Sequence, residues 1–299
     1  MANPKSLLIT GASTGIGRAC ALYMAALGWR VFAGVRRESD AAALLEGAPG
    51  HLIAGHPIPD RPIPDRLIPL FLDVTQLTSI AAAAEQIAAA VGQAGLDGLV
   101  NNAGIAIAGP LEFIALPDLR RQLEVNVIGQ VAVTQAVLPL LRQARGRIVY
   151  ISSVGGLLAA PYFAPYSASK FALEAFSDSL RVELRPWGIQ VVVVEPGSIA
   201  TPIWEKSLAA AEERLAAMPP AAEQLYGPSF PILRRLVRSS AQRGLPAEQV
   251  ARVVAEALTA RYPRVRYVIP RRRGYMIALM RLLPVRLRDR ILALRFGLN

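Results

Sequence analysis

The stretch "TGASTGIGRA", residues 10–19, follows the apolar segment 5–10 and opens a second apolar stretch with helical spacing. Its glycines permit a tight turn and a close backbone approach to a ligand, and the first turn of a helix presents amide groups to anions. A glycine-rich turn between a first strand and a first helix predicts a dinucleotide site. The residues expected to bind there are Gly11, Ser13, Thr14, Gly15, Ile16 and Gly17.

Apolar runs alternate with helical patterns along the rest of the chain. These runs are nearly continuous, as expected for strands covered by helices on both faces. The alternation predicts an α/β fold: a single-domain doubly wound (Rossmann-type) parallel sheet with helices on both faces and a C-terminal helical extension. Strands are predicted at 5–10, 30–35, 67–74, 96–100, 146–152, 189–196 and 266–270, and helices at 16–27, 76–91, 118–143 and 166–185.

Two segments interrupt this alternation of strands and helices. A tandem Pro-Ile-Pro-Asp-Arg repeat at 57–66, flanked by His51 and His56, predicts an extended surface loop. Residues 198–245 are predicted to be either a substrate lid or an ordinary packing helix pair. The apolar side chains of this segment suit either an apolar ligand or the core; they are Trp204, Leu208, Leu215, Met218, Tyr226 and Phe230.

Residues 1–270 are therefore predicted to form a dinucleotide-binding and catalytic domain, and residues 271–299 a basic amphipathic extension. The extension contains eight arginines and one aspartate. Arginines among leucines at helical spacing predict either a helix at a membrane surface or a helix packed on protein. Pro284 is expected to divide it.

Composition bears on the possible partners, the cellular location and the presence of disulfides or metal sites. The formal net charge is +11, but no nucleic-acid motif accompanies it, so nucleic acid is not a predicted partner. The single cysteine, Cys20, excludes an internal disulfide and is expected to be buried. No cleavable leader and no long uncharged apolar run were identified, so the predicted location is cytoplasmic, with peripheral membrane contact as an alternative. The two histidines and one cysteine are not spaced as metal ligands, so no metal site is predicted.

The chemistry-bearing residues follow the predicted strands. "NNAG" at 101–104 comes after the fourth strand, Asn126 lies on the next helix, and Ser153 ends the fifth strand. Tyr166 and Lys170 are one helical turn apart and so share a face. Together with the glycine turn and "PG" at 196–197, these residues resemble the short-chain dehydrogenase/reductase family over about residues 5–202. The sequences "LVNNAGI", "EAFSDSLRVEL" and "VVVEPG" are similar to its retinol, hydroxysteroid and 3-hydroxybutyrate dehydrogenase branch.

The Tyr–Lys spacing has a physical basis. A phenol has a pKa near 10 and is a poor base unless its anion is stabilised, so a nearby ammonium is expected to lower that pKa. Lysine presents a compact charge that can also reach ribose hydroxyls, which arginine does less well. Tyr166 is the predicted proton donor or acceptor and Lys170 its partner. The resemblance implies that Ser153 binds the substrate oxygen and that Asn126 maintains a proton path, while Tyr162 is expected to line the pocket.

Cofactor preference depends on the end of the second strand. An acidic residue usually holds the ribose there, but this chain has Val35, Arg36 and Arg37, which favours NADP(H) over NAD(H). The alternative is that both arginines merely face solvent. The resemblance implies that the remaining cofactor contacts are Asp73, Val74, Asn101, Ala103, Gly104, Tyr166, Lys170, Pro196, Gly197, Ile199 and Thr201.

The function predicted from these features is NADP(H)-dependent interconversion of an apolar secondary alcohol and a ketone, or of an alcohol and an aldehyde. The alternative is a non-catalytic dinucleotide-binding regulator or scaffold. The resemblance further implies a homodimer or homotetramer.

Overall fold

The computed structural model describes residues 4–46, 66–216 and 219–298. The two histidines and all of the tandem repeat except Arg66 lie outside these ranges. Met218 and the side chains of Leu208 and Leu215 also lie outside the described part of the chain.

Seven parallel strands form one sheet in the order β3-β2-β1-β4-β5-β6-β7. The order in which strands are added changes side between β1 and β4: β2 and β3 lie on one side of β1, and β4 to β7 on the other. Open α/β sheets leave a crevice at their carboxyl edge at such a point. The strands are β1 Ser6–Ile9, β2 Arg30–Val35, β3 Leu67–Phe71, β4 Gly98–Asn101, β5 Arg147–Ile151, β6 Gln190–Pro196 and β7 Arg266–Ile269.

Helices cover both faces of the sheet, so alternate residues of each strand enter different cores. On β1, Leu7 and Ile9 pack in one core and Leu8 in the other. Cys20 is buried within the first of these cores, as predicted. The helices are α1 Gly15–Ala26, α2 Glu38–Glu46, α3 Leu77–Val91, α4 Leu116–Leu123, α5 Gly129–Ala144, α6 Ala164–Glu183, α7 Pro202–Ala216, α8 Pro220–Tyr226, α9 Phe230–Arg243, α10 Ala247–Thr259, α11 Arg271–Leu282 and α12 Val285–Phe296.

Helices α4 and α5 are joined by a π-helical segment, Glu124–Ile128, into one long helix. In the described part of the chain this helix, Leu116–Ala144, is the one long and apolar enough to cross a membrane by length and composition. Its apolar residues have another explanation, because Val133, Val137 and Leu141 pack in the core beneath the sheet.

The segment 198–245 forms three helices, α7 to α9, and its two ends are held together. Leu245 donates its amide to the Ser198 carbonyl at 2.9 Å, and Ala200 donates to the Leu245 carbonyl at 2.9 Å. Helix α9 contributes Leu233 and Val237 to a small cluster with Tyr162. Tyr162 therefore packs under this segment and does not line the main cleft, contrary to the prediction.

The C-terminal extension is two helices divided at Pro284, and it is anchored at several points. Ile277 of α11 and Phe296 of α12 are buried, and Phe296 joins the cluster of Tyr162 and α9. Arg273 donates to Ser198 Oγ at 3.3 Å, next to the end of β6. The extension therefore contacts both helix α9 and the loop that follows β6.

Candidate active site

The turn after β1 depends on two glycines in the left-handed region, Gly11 at φ +65° and Gly15 at φ +58°. A Cβ at Gly11 would lie 2.9 Å from the Ala103 Cα, and one at Gly15 would lie 3.2 Å from the Thr201 Cβ. Glycine alone adopts this backbone readily and leaves room for these neighbours. The Thr14 side chain does not cap α1, so the first amides of the helix are available to an anion.

This turn is fastened to the loop after β4. Thr10 Oγ1 accepts the amides of Asn102 and Ala103, each at 2.9 Å. Asn102 Nδ2 donates to the carbonyls of Thr10 at 2.9 Å and Gly11 at 3.0 Å. Gly17 packs against this junction, since a Cβ there would overlap the Gly11 oxygen and Asn102 Nδ2.

A cleft of about 820 Å³ lies above these loops at the carboxyl edge of the sheet. It is long enough to join the glycine turn at one end to the Ser–Tyr–Lys group at the other. The predicted site residues that line it are Gly11, Ser13, Thr14, Gly15, Ile16, Arg36, Asp73, Val74, Ala103, Gly104, Ser153, Tyr166, Lys170, Pro196, Gly197, Ile199 and Thr201.

Four predicted residues do not line the cleft. Asn101 is fully buried and donates to Thr134 Oγ1 at 2.8 Å, while its neighbour Asn102 takes the place at the cleft wall. Arg37 points to solvent and forms two hydrogen bonds with Asp40, at 3.1 and 2.9 Å, so of these two arginines Arg36 is the one that lines the cleft. Gly17 and Asn126 lie behind the wall and shape it indirectly.

Several lining residues were missed by the sequence analysis. Asn102 belongs to the recognised "NNAG" motif, so a signal for it was present. The others come from loops and helices whose approach to the cleft is set by tertiary packing; they include Leu72, Ile107, Arg120, Arg121, Ser152, Ser207 and Arg214.

Ser153 and Tyr166 are hydrogen-bonded to one another through their side chains at the end of β5 and the start of α6. Ser153 Oγ also accepts the Gly155 amide at 3.0 Å and lies 3.4 Å from the Pro196 carbonyl. Burial raises the pKa of Tyr166 above its usual value of 10, and the bond to Ser153 acts in the opposite direction. The phenol is therefore held in its protonated form at neutral pH.

Lys170 lies one turn further along α6, with its Nζ 5.8 Å from the Tyr166 ring centre. Nζ donates to the Ile151 carbonyl at 2.8 Å, and the side chain is buried. Burial lowers the pKa of Lys170 to about 8, and the charge of Glu174 opposes this. Burial acts on both groups, raising the pKa of Tyr166 and lowering that of Lys170, so the lowering of the Tyr166 pKa by Lys170 stays a prediction.

Asn126 lies in the π-helical segment and joins three parts of the site. Its Oδ1 accepts the Ile105 amide at 2.8 Å, and its Nδ2 donates to the Ile105 carbonyl and to Ser169 Oγ, both at 3.0 Å. Ser169 in turn donates to the Tyr166 carbonyl at 2.6 Å. Asn126 is thus a positioning residue between the loop after β4 and the helix that carries Tyr166.

A buried ionic network lies behind Lys170. Arg266 of β7 pairs with Glu174, with Glu195 at 2.7 Å and with Asp178 at 2.8 Å. Burial and the neighbouring charge of Glu174 raise the pKa of Glu195 to about 7. This network connects β7 to the helix of Tyr166 and Lys170, so breaking it would leave buried carboxylates without their partner.

The sequence and this geometry match known proteins. A family model described as short chain dehydrogenase matches residues 5–212. The NADPH-dependent 3-dehydrocapnine reductase of Ornithobacterium rhinotracheale is 36% identical over 289 residues, which cover 95% of this chain and 94% of that protein. Retinol dehydrogenase 5 of Mus musculus is 40% identical over 272 residues, covering 87% and 79% of the two chains.

Other matches agree with these. The 17-beta-hydroxysteroid dehydrogenase type 6 of Bos taurus is 36% identical over 297 residues, covering 96% of this chain and 87% of that protein. The crystal structure of a short chain dehydrogenase/reductase from Burkholderia phymatum in complex with NAD has a TM-score of 0.76 at 25% identity, with 93% of each chain covered. The chain belongs to the short-chain dehydrogenase/reductase family and is similar to its retinol and hydroxysteroid dehydrogenase branch.

Proposed function

We propose that this protein is an NADP(H)-dependent oxidoreductase that interconverts an apolar secondary alcohol and a ketone, or an alcohol and an aldehyde. The observation that supports this best is the placement of Ser153, Tyr166 and Lys170 in the same cleft as the glycine turn. A nucleotide held at the turn and extended along the cleft would end beside the tyrosine.

The residues of the cleft fit such a cofactor. The glycine turn and the first amides of α1 would hold its diphosphate, Asp73 and Val74 its adenine end, and Lys170 its second ribose. When bound, the nicotinamide supplies or accepts a hydride at the substrate carbon.

Tyr166 would donate the proton to the substrate oxygen during reduction, because a phenol with a pKa near or above 10 is protonated at neutral pH. Ser153 would bind the same oxygen. In the oxidative direction the Tyr166 phenolate would receive the proton of the substrate hydroxyl, and the Lys170 ammonium, 5.8 Å from the ring centre, would favour this phenolate.

Arg36 supports the preference for NADP(H), because an exposed guanidinium at the end of β2 lies where the 2′-phosphate of the adenine ribose would sit. We expect Arg36→Ala to weaken NADPH binding about ten- to hundredfold and to leave NADH binding unchanged, since a charged hydrogen bond is lost. Calorimetric titration with each nucleotide measures this difference.

Arg37→Ala is the matched control, because Arg37 is adjacent but bonded to Asp40 outside the cleft. It should bind both nucleotides as wild type does. A wild-type preference for NADH, or an equal loss in the Arg37 variant, would contradict the assignment.

An apolar substrate is supported by Ile105, Ile107, Ile203 and Trp204, which line the cleft on the lid side. The names of the relatives, a retinol and a hydroxysteroid dehydrogenase, point the same way. The rival function, a nucleotide-binding scaffold without turnover, would be excluded by oxidation of NADPH with any member of a panel of apolar ketones. Family resemblance also supports a homodimer or homotetramer.

Contact with a membrane surface is a second candidate property, supported by the extension. Its apolar side chains remain exposed beside many arginines; Tyr275 is 76% and Leu282 83% exposed. We expect the protein to co-sediment with phosphatidylglycerol-containing vesicles more than with phosphatidylcholine vesicles, and less so at high salt.

Leu279→Ser with Leu282→Ser should reduce this sedimentation, since both exposed leucines lie on α11. Leu77→Ser with Val182→Ser is the matched control, because those side chains are equally exposed elsewhere on the surface. Equal sedimentation of the two double variants would count against membrane contact through the extension.

A further inference from the structure

Arg214, in the last turn of α7, has hydrogen-bond donors without acceptors. Its Nε and Nη2 are buried from solvent, and no residue in the described part of the chain accepts a hydrogen bond from either. Its Nη1 lies 3.7 Å from Asp118 Oδ2, which is longer than a direct hydrogen bond. Buried guanidinium donors without acceptors are costly, so a ligand that supplies acceptors would bind there favourably.

Helix α7 carries Arg214 away from the glycine turn. Thr201, just before the helix, contacts the Gly15 position, and Ser207 Oγ donates to the Ala106 carbonyl at 2.7 Å. Arg214 then reaches Asp118 at the start of α4. Arg214 lies thirteen positions after Thr201, which corresponds to about 20 Å along the axis of α7. A diphosphate held at the glycine turn would therefore lie far from Arg214.

The surroundings of Arg214 combine positive charge with apolar surface. Arg120, Arg121 and Glu124 also line the cleft, and Asp118 lies beside Arg214, so three arginines and two carboxylates belong to this end of the site. The cleft wall between the glycine turn and Arg214 is apolar and includes Ile107, Ile203 and Trp204. A ligand complementary to this region has an apolar body and an anionic end.

We propose that Arg214, with Arg120 and Arg121, forms an oxyanion subsite that binds a carboxylate, sulfonate or phosphate group of an otherwise apolar substrate. Arginine suits this role because its planar fork can donate two parallel hydrogen bonds to such a group. The inference rests on the proposed oxidoreductase function and narrows its substrate class. The same chemistry could be supplied by a cofactor phosphate, which the experiment separates from a substrate group.

The first test compares decanoate with 1-decanol, titrated calorimetrically into the complex with saturating NADPH. The wild type should bind decanoate more tightly than decanol. Arg214→Met should lose about tenfold or more of its decanoate affinity, as expected for a lost charged hydrogen bond. Binding of decanol and of NADPH should not change. Arg234→Met is the matched control, because Arg234 pairs with Glu212 on the lid outside the cleft.

The second test measures turnover of methyl ketones that end in a carboxylate and of their methyl esters, over a series of chain lengths. The wild type should prefer the acids, and Arg214→Met should remove this preference mainly by raising KM for the acids. Arg214→Lys should recover part of the preference, because it keeps the charge but loses the fork.

Three results would overturn the subsite. They are equal wild-type affinity for decanoate and decanol, an equal loss in Arg234→Met, and a loss of NADPH affinity in Arg214→Met with the decanoate preference intact. The last result would assign the oxyanion to the cofactor. If the wild type bound neither nucleotide, the proposed function would fail, while decanoate titration without nucleotide would still test Arg214.

Discussion

Replacing Tyr166 with phenylalanine is expected to lower kcat/KM about a thousandfold, within the range for loss of a general acid or base. The ring remains and still fills its place on α6, but no proton can be passed to the substrate oxygen. NADPH affinity should stay near the wild-type value, since the phenol hydroxyl faces Ser153 at the substrate end of the cleft. Steady-state kinetics with a turned-over ketone and nucleotide titration measure the two quantities separately.

Tyr162→Phe is the matched control for this variant. Tyr162 lies four residues earlier, packs with α9 and Phe296, and is absent from the cleft wall. It should retain wild-type kcat/KM. Retained turnover in Tyr166→Phe would refute the proton-transfer role, and a parallel loss in both variants would indicate a general effect on folding.

The second large effect is expected at Gly17. In Gly17→Ala the new Cβ would overlap the Gly11 oxygen and the Asn102 amide nitrogen, which together hold the glycine turn to the loop after β4. Backbone cannot move aside as the end of a flexible side chain can, so the variant should lose about 3 kcal/mol of unfolding free energy or more. The turn would also be displaced, and nucleotide binding should fall below detection.

Gly92→Ala is a control that distinguishes the effect of steric crowding on stability from the effect of backbone conformation. Unlike Gly17, Gly92 has a positive φ, +53°, and nothing lies within 4 Å of its would-be Cβ. Its φ of +53° and ψ of −135° are strained for alanine, so the variant should lose about 1–3 kcal/mol through backbone conformation alone and bind NADPH normally. Denaturant unfolding and nucleotide titration of both variants provide the comparison, and wild-type nucleotide affinity in Gly17→Ala would contradict the packing argument.

The sheet could be predicted from the sequence because each strand is marked by its own apolar run. A continuous apolar run such as "IQVVVVEP" requires cover on both faces, and the order of strands and helices then restricts the topology. Confirmed features include the seven strands, the break at Pro284 and the burial of Cys20. The Ser–Tyr–Lys group could also be predicted to converge, because its members sit at a strand end and on one helix face.

Other features depend on contacts between distant segments and could not be predicted. Adjacent residues of one motif point in opposite directions, so Asn101 enters the core while Asn102 lines the cleft. Arg36 and Arg37 also point in different directions: Arg37 is hydrogen-bonded to Asp40, and Arg36 lines the cleft. The upward shift of the Tyr166 pKa reflects burial, which the Tyr–Lys spacing alone does not show.

The pairing of Ser198 and Ala200 with Leu245 has a consequence for how substrate range can diversify. Because the chain leaves the sheet and returns to α10 at one joined point, the segment between can change length or composition without moving β6 or α10. Lengthening a flexible loop costs little, about 0.6 kcal/mol for each doubling. A hybrid enzyme made by exchanging this segment with that of a relative at the Leu245 junction should therefore keep its nucleotide preference and acquire the donor's substrate selectivity.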